Sequence, residues 1–179
     1  MINNLLIGLV FFLKFAIPAA IPFAPFLAGW ANFILDTIDG DILIPLGMAD
    51  ASYQPIDKIA DWAAYIGMVA AAWKFKWGIR KWIYGLFAFR SIGQVAFLAT
   101  GKEWLFFAFP NFLEPLFLIY ATIFFFKRAD EAQTYVFYLK HKLAIWLFVV
   151  IYKMQDEYFT HIANVDRSDL IKNLIRKFF

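Results

Sequence analysis

The sequence has no cysteine and only two histidines, and these absences exclude several kinds of chemistry. Without cysteine there is neither a disulfide framework nor thiol chemistry. His141 and His161 are far apart, and neither has a second nitrogen or sulfur ligand close by, which argues against a zinc site. Charge is scarce as well: charged residues make up 17% of the chain, against about a quarter in soluble domains.

Apolar and aromatic residues are correspondingly abundant. Hydrophobic residues account for 63% of the 179 residues, with 23 Phe and 7 Trp. This composition predicts an all-α integral membrane protein in which residues 1–179 form a single transmembrane domain. Met1 runs into apolar sequence without a charged n-region, so we expect no removable signal peptide. The net charge of +3 is small and suggests membrane lipids, not nucleic acid, as partners.

Six apolar segments approach the roughly 20 residues that a transmembrane helix needs. They cover residues 3–16, 26 to the break at Pro45 and Gly47, 56–73, 82–99, 104–126 and 134–152. In the first segment, Lys14 lies near one end, where its amine can reach the membrane surface. The prolines of "IPAAIPFAP" predict a turn before the second segment, and Pro55 suits the first turn of the third. Pro110 and Pro115 predict kinks in the fifth segment.

The last residues, 167–179, have the pattern of an amphipathic helix. Its apolar face contains Leu170, Ile171, Leu174, Ile175, Phe178 and Phe179, and its other face is mostly cationic. Such a helix suits a membrane surface, although packing against the protein's own transmembrane helices explains the pattern equally well.

Six of the ten aspartates fall within residues 36–61. Asp36 and Asp39 are spaced i, i+3 at the end of the second segment, and Asp57 and Asp61 are spaced i, i+4 at the start of the third, so each pair shares a helix face. A hairpin between the two helices brings the four carboxylates together. Carboxylate oxygens suit a hard divalent ion, so the pattern predicts a Mg²⁺ or Mn²⁺ site. The alternative is a solvated acidic loop.

This spacing resembles the signature of the CDP-alcohol phosphatidyltransferases. Their motif is D-x-x-D-G-x-x-A-R, eight further residues, then G-x-x-x-D-x-x-x-D. Asp36, Asp39 and Gly40 match its first part, Asp57 and Asp61 match its last part, and the interval has no gap. The family is also integral to the membrane with six helices, and its motif runs from the second helix into the third. The specific match covers residues 36–61.

The resemblance implies an activity and a set of site residues. Asp36, Asp39, Asp57 and Asp61 would hold Mg²⁺ or Mn²⁺ on the pyrophosphate of a CDP-linked lipid, with Gly40 allowing its close approach. Asp61 would be the catalytic general base that takes the proton from an acceptor alcohol, and CMP would leave. The resemblance also implies that the acidic site faces the cytoplasm. In that orientation the cationic loops near residues 74–81 and 127–128 lie outside, against the positive-inside rule.

Three positions depart from the motif. Leu43 and Ile44 stand where the family has Ala and Arg, and Tyr53 stands where it has its second Gly. In the family, small residues at these positions leave room for the cytidine nucleotide, and the bulky side chains of Leu43 and Tyr53 argue against its binding. Two hypotheses follow. The chain is an active transferase, or it is an inactive member that serves as a structural subunit, as a homodimer or within a membrane complex. A UbiA-type prenyltransferase is disfavoured because no second acidic motif follows Asp61.

Other polar residues lie within the apolar segments. Arg90 is in the fourth segment, and Asn111 and Glu114 are in the fifth. Charges inside a membrane face the bundle interior and find partners. Arg90 therefore either forms an ion pair with Glu114 that joins two helices, or binds the substrate by holding the phosphate of an acceptor.

Overall fold

A computed structural model describes residues 2–163 of the chain, and these residues form α-helices with no β-strand. The helices are α1 (Ile2–Ala20), α2 (Pro25–Leu43), α3 (Asp50–Lys74), α4 (Arg80–Thr100), α5 (Trp104–Ala108), α6 (Leu113–Phe126) and α7 (Glu131–His161). The all-α prediction is therefore confirmed for this part of the chain. The amphipathic helix predicted at 167–179 lies outside the described residues.

Local sequence explains several helix ends. Pro25 is the first residue of α2, where its fixed φ suits a helix and its missing N–H is not needed. Gly101 follows α4 in the left-handed conformation, with φ of 67°, which glycine adopts without strain. At the start of α7, the carboxylate of Asp130 accepts a hydrogen bond from the backbone N–H of Gln133.

Three helices among residues 2–163 are long and apolar enough to cross a membrane. They are Asn3–Ala20, Arg80–Thr100 and Glu131–Thr160. These helices fit an integral membrane protein, although fewer helices qualify than the six segments predicted. α2 and α3 have 19 and 25 residues but carry the aspartates. α6 has 14 residues, or about 21 Å at about 1.5 Å per residue, which is shorter than the hydrocarbon core.

The structure also corrects several predicted boundaries. α1 continues through Pro18 to Ala20, so the turn before α2 is shorter than the prolines suggested. α3 begins at Asp50, and Pro55 therefore lies inside it. The fifth segment divides into α5 and α6 around Pro110, whereas Pro115 lies in the first turn of α6, which tolerates proline. α7 continues without interruption for 31 residues.

α6 and α3 form the centre of the bundle. α6 packs against α2, α3, α4 and α7, and most of its side chains are buried. The buried indole of Trp77 contacts the rings of Phe117, Tyr120 and Phe124 on α6. α3 has small residues where α1 crosses it, and a Cβ atom added at Gly67 would lie 2.6 Å from the carbonyl oxygen of Pro18. This crossing places α1 directly beside the acidic part of α3.

The close approach of α1 and α3 predicts that Gly67→Ala destabilises the protein. The added methyl group would meet the backbone of Pro18, so the two helices would have to separate. Gly85→Ala is the matched control, since nothing lies within 4 Å of a Cβ at Gly85 and alanine favours a helix by about 1 kcal/mol over glycine. Thermal unfolding in detergent should show a lower melting temperature for Gly67→Ala only. Equal melting temperatures for the two variants would contradict the crossing.

Candidate functional site

The two aspartate pairs come together where α2 ends and α3 begins. Asp39 and Asp57 are buried, whereas the side chain of Asp36 is 38% exposed. One carboxylate oxygen from each of these three residues lies within 4.8 Å of the others. Asp61, one turn after Asp57, lies outside this group of three but is connected to it through a lysine. The hairpin therefore brings together three of the four carboxylates for which the spacing predicted a common site.

Lys14 of α1 lies among these carboxylates, which the sequence did not reveal. Its Nζ donates hydrogen bonds to Asp39 and, at 2.5 Å, to Asp57, and it lies 3.7 Å from Asp36. The side chain is 4% exposed. The prediction that Lys14 reaches the membrane surface is therefore wrong: three carboxylates draw its amine into the bundle, where an unpaired ammonium would be costly.

A second lysine neutralises the other side of the cluster. The Nζ of Lys58 lies 2.7 Å from Oδ2 of Asp57 and 3.4 Å from Oδ2 of Asp61. Asp57 thus lies between two ammonium groups, one on each of its oxygens. Two lysines therefore face four carboxyl groups, so the cluster contains more acidic than basic side chains.

Tyr53, which replaces the second glycine of the motif, reaches into the same cluster. Its hydroxyl donates to Oδ1 of Asp39 at 2.8 Å and lies 3.3 Å from Oδ1 of Asp57. Leu43, which replaces the motif alanine, is fully buried, whereas Ile44 is exposed.

The Tyr53 hydroxyl lies beside Gly40. A Cβ at Gly40 would lie 3.4 Å from that oxygen, and the backbone N–H of Gly40 donates to Oδ1 of Asp39 at 2.8 Å. The space that the resemblance assigned to substrate is therefore occupied by the protein's own side chain. Beside the cluster lies a cavity of about 10 Å³, which is about enough for one water molecule. Its walls are formed by Lys14, Asn32, Leu35, Asp36, Ala60 and Asp61.

The three carboxylates suit a divalent cation, but the amine of Lys14 already contacts them. Three carboxylate oxygens are the hard ligands that Mg²⁺ and Mn²⁺ prefer, and Asp36, Asp39 and Asp57 are the residues that would hold the ion. The Nζ of Lys14 contacts oxygens of the same three carboxylates. An ion bound there would require this ammonium to move.

Arg90 belongs to a second buried polar cluster, at the break between α5 and α6. Its Nη1 donates to the carbonyl oxygen of Phe109 at 2.8 Å and lies 3.4 Å from Oε1 of Glu157 on α7. The same oxygen of Glu157 accepts from the backbone N–H of Asn111 at 3.0 Å. The predicted ion pair is thus formed with Glu157 and not with Glu114. Its two members satisfy backbone groups that the helix break leaves open.

Glu114 stays close to this cluster through Asn111. The side-chain amide of Asn111 donates to the Tyr65 hydroxyl at 2.9 Å and to Oε2 of Glu114 at 3.5 Å. Glu157 was not identified from the sequence, because it lies in a polar stretch near the end of α7 that resembles a solvated helix end. Its contacts connect α7 to α4 and to the α5–α6 break.

Comparisons with known proteins add no family assignment. No protein-family model matches the chain, and neither a curated protein nor a solved structure matches it.

The Arg90–Glu157 pair predicts strongly non-additive stability effects. Glu157→Gln leaves the buried Arg90 guanidinium without its carboxylate and should cost about 3–5 kcal/mol. Arg90→Met removes one of two cations beside Glu157, since the Nζ of Lys153 lies 4.0 Å from Oε1 of Glu157, and should cost less. The double variant removes both charges and should lose less than the sum of the two. Chemical unfolding in detergent measures all four proteins of the cycle. Additive losses would show that the two side chains do not depend on each other.

Proposed function

We propose that the chain is a membrane transferase of the CDP-alcohol phosphatidyltransferase type. It transfers a phosphatidyl-type group from a CDP-linked lipid to an alcohol with release of CMP, and it depends on Mg²⁺ or Mn²⁺. The observation that carries this proposal is the convergence of oxygens from Asp36, Asp39 and Asp57 within 4.8 Å, with Asp61 one turn further along α3. The family's metal-binding carboxylates would occupy the same places in the motif.

The residues have separate tasks in this proposal. Asp36, Asp39 and Asp57 hold the divalent ion, which when bound neutralises the pyrophosphate and the departing CMP. Asp61 lines the small cavity together with Asp36, so its carboxylate can take the proton of an alcohol hydroxyl placed there. The alcohol oxygen then forms a bond to the lipid-bearing phosphorus as the bond between that phosphorus and CMP breaks. Arg90 acts from outside this centre, as a positioning residue for the α5–α6 break.

A second candidate function is that of an inactive subunit of a membrane assembly. Lys14 occupies the space among the carboxylates, Tyr53 bridges Asp39 and Asp57, and the adjoining cavity has room for about one water molecule. These contacts give the carboxylates a structural role without any ligand. The chain would then keep the helical arrangement as a homodimer or within a larger complex.

The transferase proposal predicts CMP release from a CDP-linked diacyl lipid in the presence of Mn²⁺ or Mg²⁺. Asp57→Asn and Asp61→Asn should each lower the rate by about 10²-fold or more, since one removes an ion ligand and the other the base. Asp41→Asn is the control, because Asp41 is an exposed aspartate of the same stretch. CMP is measured chromatographically with a panel of acceptor alcohols.

The same assay separates the two candidate functions. A folded wild-type protein that makes no CMP with any acceptor or either metal would contradict the transferase. If Asp57→Asn then lowers only the melting temperature, the carboxylates serve structure, and the inactive subunit is favoured.

We also propose that α1, α2, α3, α4, the α5–α6 unit and α7 are six membrane-spanning units with the acidic site facing the cytoplasm. The α2–α3 connection lies at one end of α3, and the cationic α3–α4 connection lies at the other. Buried aspartates on α2 and α3 are compatible with spanning because they face inward and are paired. The positive-inside rule favours the opposite orientation, so the two ends need a direct test.

Because the chain has no cysteine, single cysteines report this orientation without a background. Ala49→Cys marks the acidic end and Lys81→Cys the cationic end, and both positions are exposed. In intact cells, a membrane-impermeant maleimide should label Lys81→Cys and leave Ala49→Cys unlabelled until the cells are opened. The reverse pattern would place the acidic site outside, and labelling of both in intact cells would contradict a spanning α3.

A further inference from the structure

Lys14 is the single charged residue of α1, yet its amine lies in the bundle interior. α1 presents Leu5, Leu9 and Phe12 outward as exposed apolar side chains. The Lys14 side chain points the other way and is 4% exposed. Its Nζ contacts the carboxylates of Asp39 and Asp57 directly and lies 3.7 Å from Asp36. One ammonium group therefore meets all three carboxylates of the candidate ion site.

The geometry leaves little space for a second cation. An ammonium carries three donors, and here they face oxygens from three carboxylates. A divalent ion on the same oxygens would be repelled by the ammonium at close range. Lys58 already neutralises Oδ2 of Asp57 from the other side. Because Lys14 is covalently attached, its local concentration at the site is high whatever the ion concentration outside.

We propose that Lys14 is a built-in counter-cation that competes with a divalent ion for the carboxylates of Asp36, Asp39 and Asp57. The ion binds only when the Lys14 ammonium moves away. This inference rests on the proposed function in taking Mg²⁺ or Mn²⁺ as the competing ion, but it does not require a transferase. It also implies that ion and diphosphate bind cooperatively, because a diphosphate oxygen gives the displaced ammonium a new partner.

Mn²⁺ binding to the full-length protein in detergent tests the competition, with the spectroscopic signal of free Mn²⁺ as the readout. Lys14→Met keeps an unbranched side chain but removes the charge, so it should bind Mn²⁺ about tenfold more tightly or better, since charge-assisted contacts to the carboxylates are lost. Lys14→Arg keeps the charge and should bind as weakly as the wild type. Unchanged affinity in Lys14→Met would overturn the proposal.

Two further variants show whether the gain belongs to this site. Lys153→Met removes another buried lysine, paired with Asp156 and Glu157, and should leave Mn²⁺ binding as in the wild type. Adding Asp39→Asn to Lys14→Met should abolish the gain, because one of the three carboxylates is lost. A gain that Lys153→Met shares, or that survives Asp39→Asn, would also overturn the proposal.

Stability provides a second readout if the charge-free variant folds poorly. Without the ammonium, repulsion among the three carboxylates should lower the melting temperature of Lys14→Met. Mn²⁺ should raise the melting temperature of this variant more than that of the wild type. Lys14→Gln, which is neutral but keeps hydrogen-bond donors, offers the same comparison. Neutral variants that fold only with added Mn²⁺ support the competition, and neutral variants that fail with and without Mn²⁺ contradict it.

The results separate this inference from the proposed function. Tighter Mn²⁺ binding by Lys14→Met without any CMP release from the wild type would support the competition and contradict the transferase. CMP release by the wild type, together with unchanged Mn²⁺ affinity in Lys14→Met, would support the transferase and contradict the competition. Inorganic diphosphate gives the last comparison: it should tighten Mn²⁺ binding to the wild type more than to Lys14→Met.

Discussion

Charge neutralisation inside an apolar bundle is the constraint on which the rest of this structure depends. Asp39 and Asp57 are buried, and carboxylates in such surroundings persist as charges only with cations or hydrogen-bond donors around them. Lys14, Lys58 and Tyr53 provide these partners. Because Lys14 belongs to α1 and its partners belong to α2 and α3, the charges also determine how three helices are arranged. α1 and α3 also cross closely at Gly67, where an added Cβ would lie 2.6 Å from the carbonyl oxygen of Pro18.

In the second polar cluster, around Arg90 and Glu157, buried charges are stabilised partly by backbone groups. The break between α5 and α6 exposes a carbonyl and an N–H that have no helical partners, and Arg90 and Glu157 satisfy one each while pairing with one another. In both clusters, charged side chains from distant segments meet where the helical structure is interrupted. The first cluster lies at the hairpin between α2 and α3, and the second lies at the break between α5 and α6. The two clusters differ in composition: the first has four carboxyl groups and two lysines, whereas the second satisfies backbone groups at the helix break.

Whether a contact can be predicted from the sequence depends on how far apart its residues are along the chain. The i, i+3 and i, i+4 spacings were enough to place each aspartate pair on one helix face, and Pro45 and Gly47 marked the hairpin between them. Lys14 was misassigned because its partners are 25 and 43 residues away, and no local pattern records which way a side chain turns. Glu157 was missed for the same reason. Tyr53 was recognised as a departure from a motif, but its hydrogen bonds to Asp39 and Asp57 depend on tertiary structure.

The position of Lys14 in the first helix has a consequence for biosynthesis. Synthesis proceeds from the N-terminus, so α1 is made before α2 and α3 and before the carboxylates that Lys14 contacts. A lysine in a membrane-inserted helix costs free energy, at most about 2.5–3.5 kcal/mol at the helix centre, and α1 contains no acidic residue that could offset the charge. The Lys14 ammonium is paired with these carboxylates only once α2 and α3 pack against α1. α1 is therefore completed by residues of α2 and α3, so the three helices depend on one another for a stable position of this lysine.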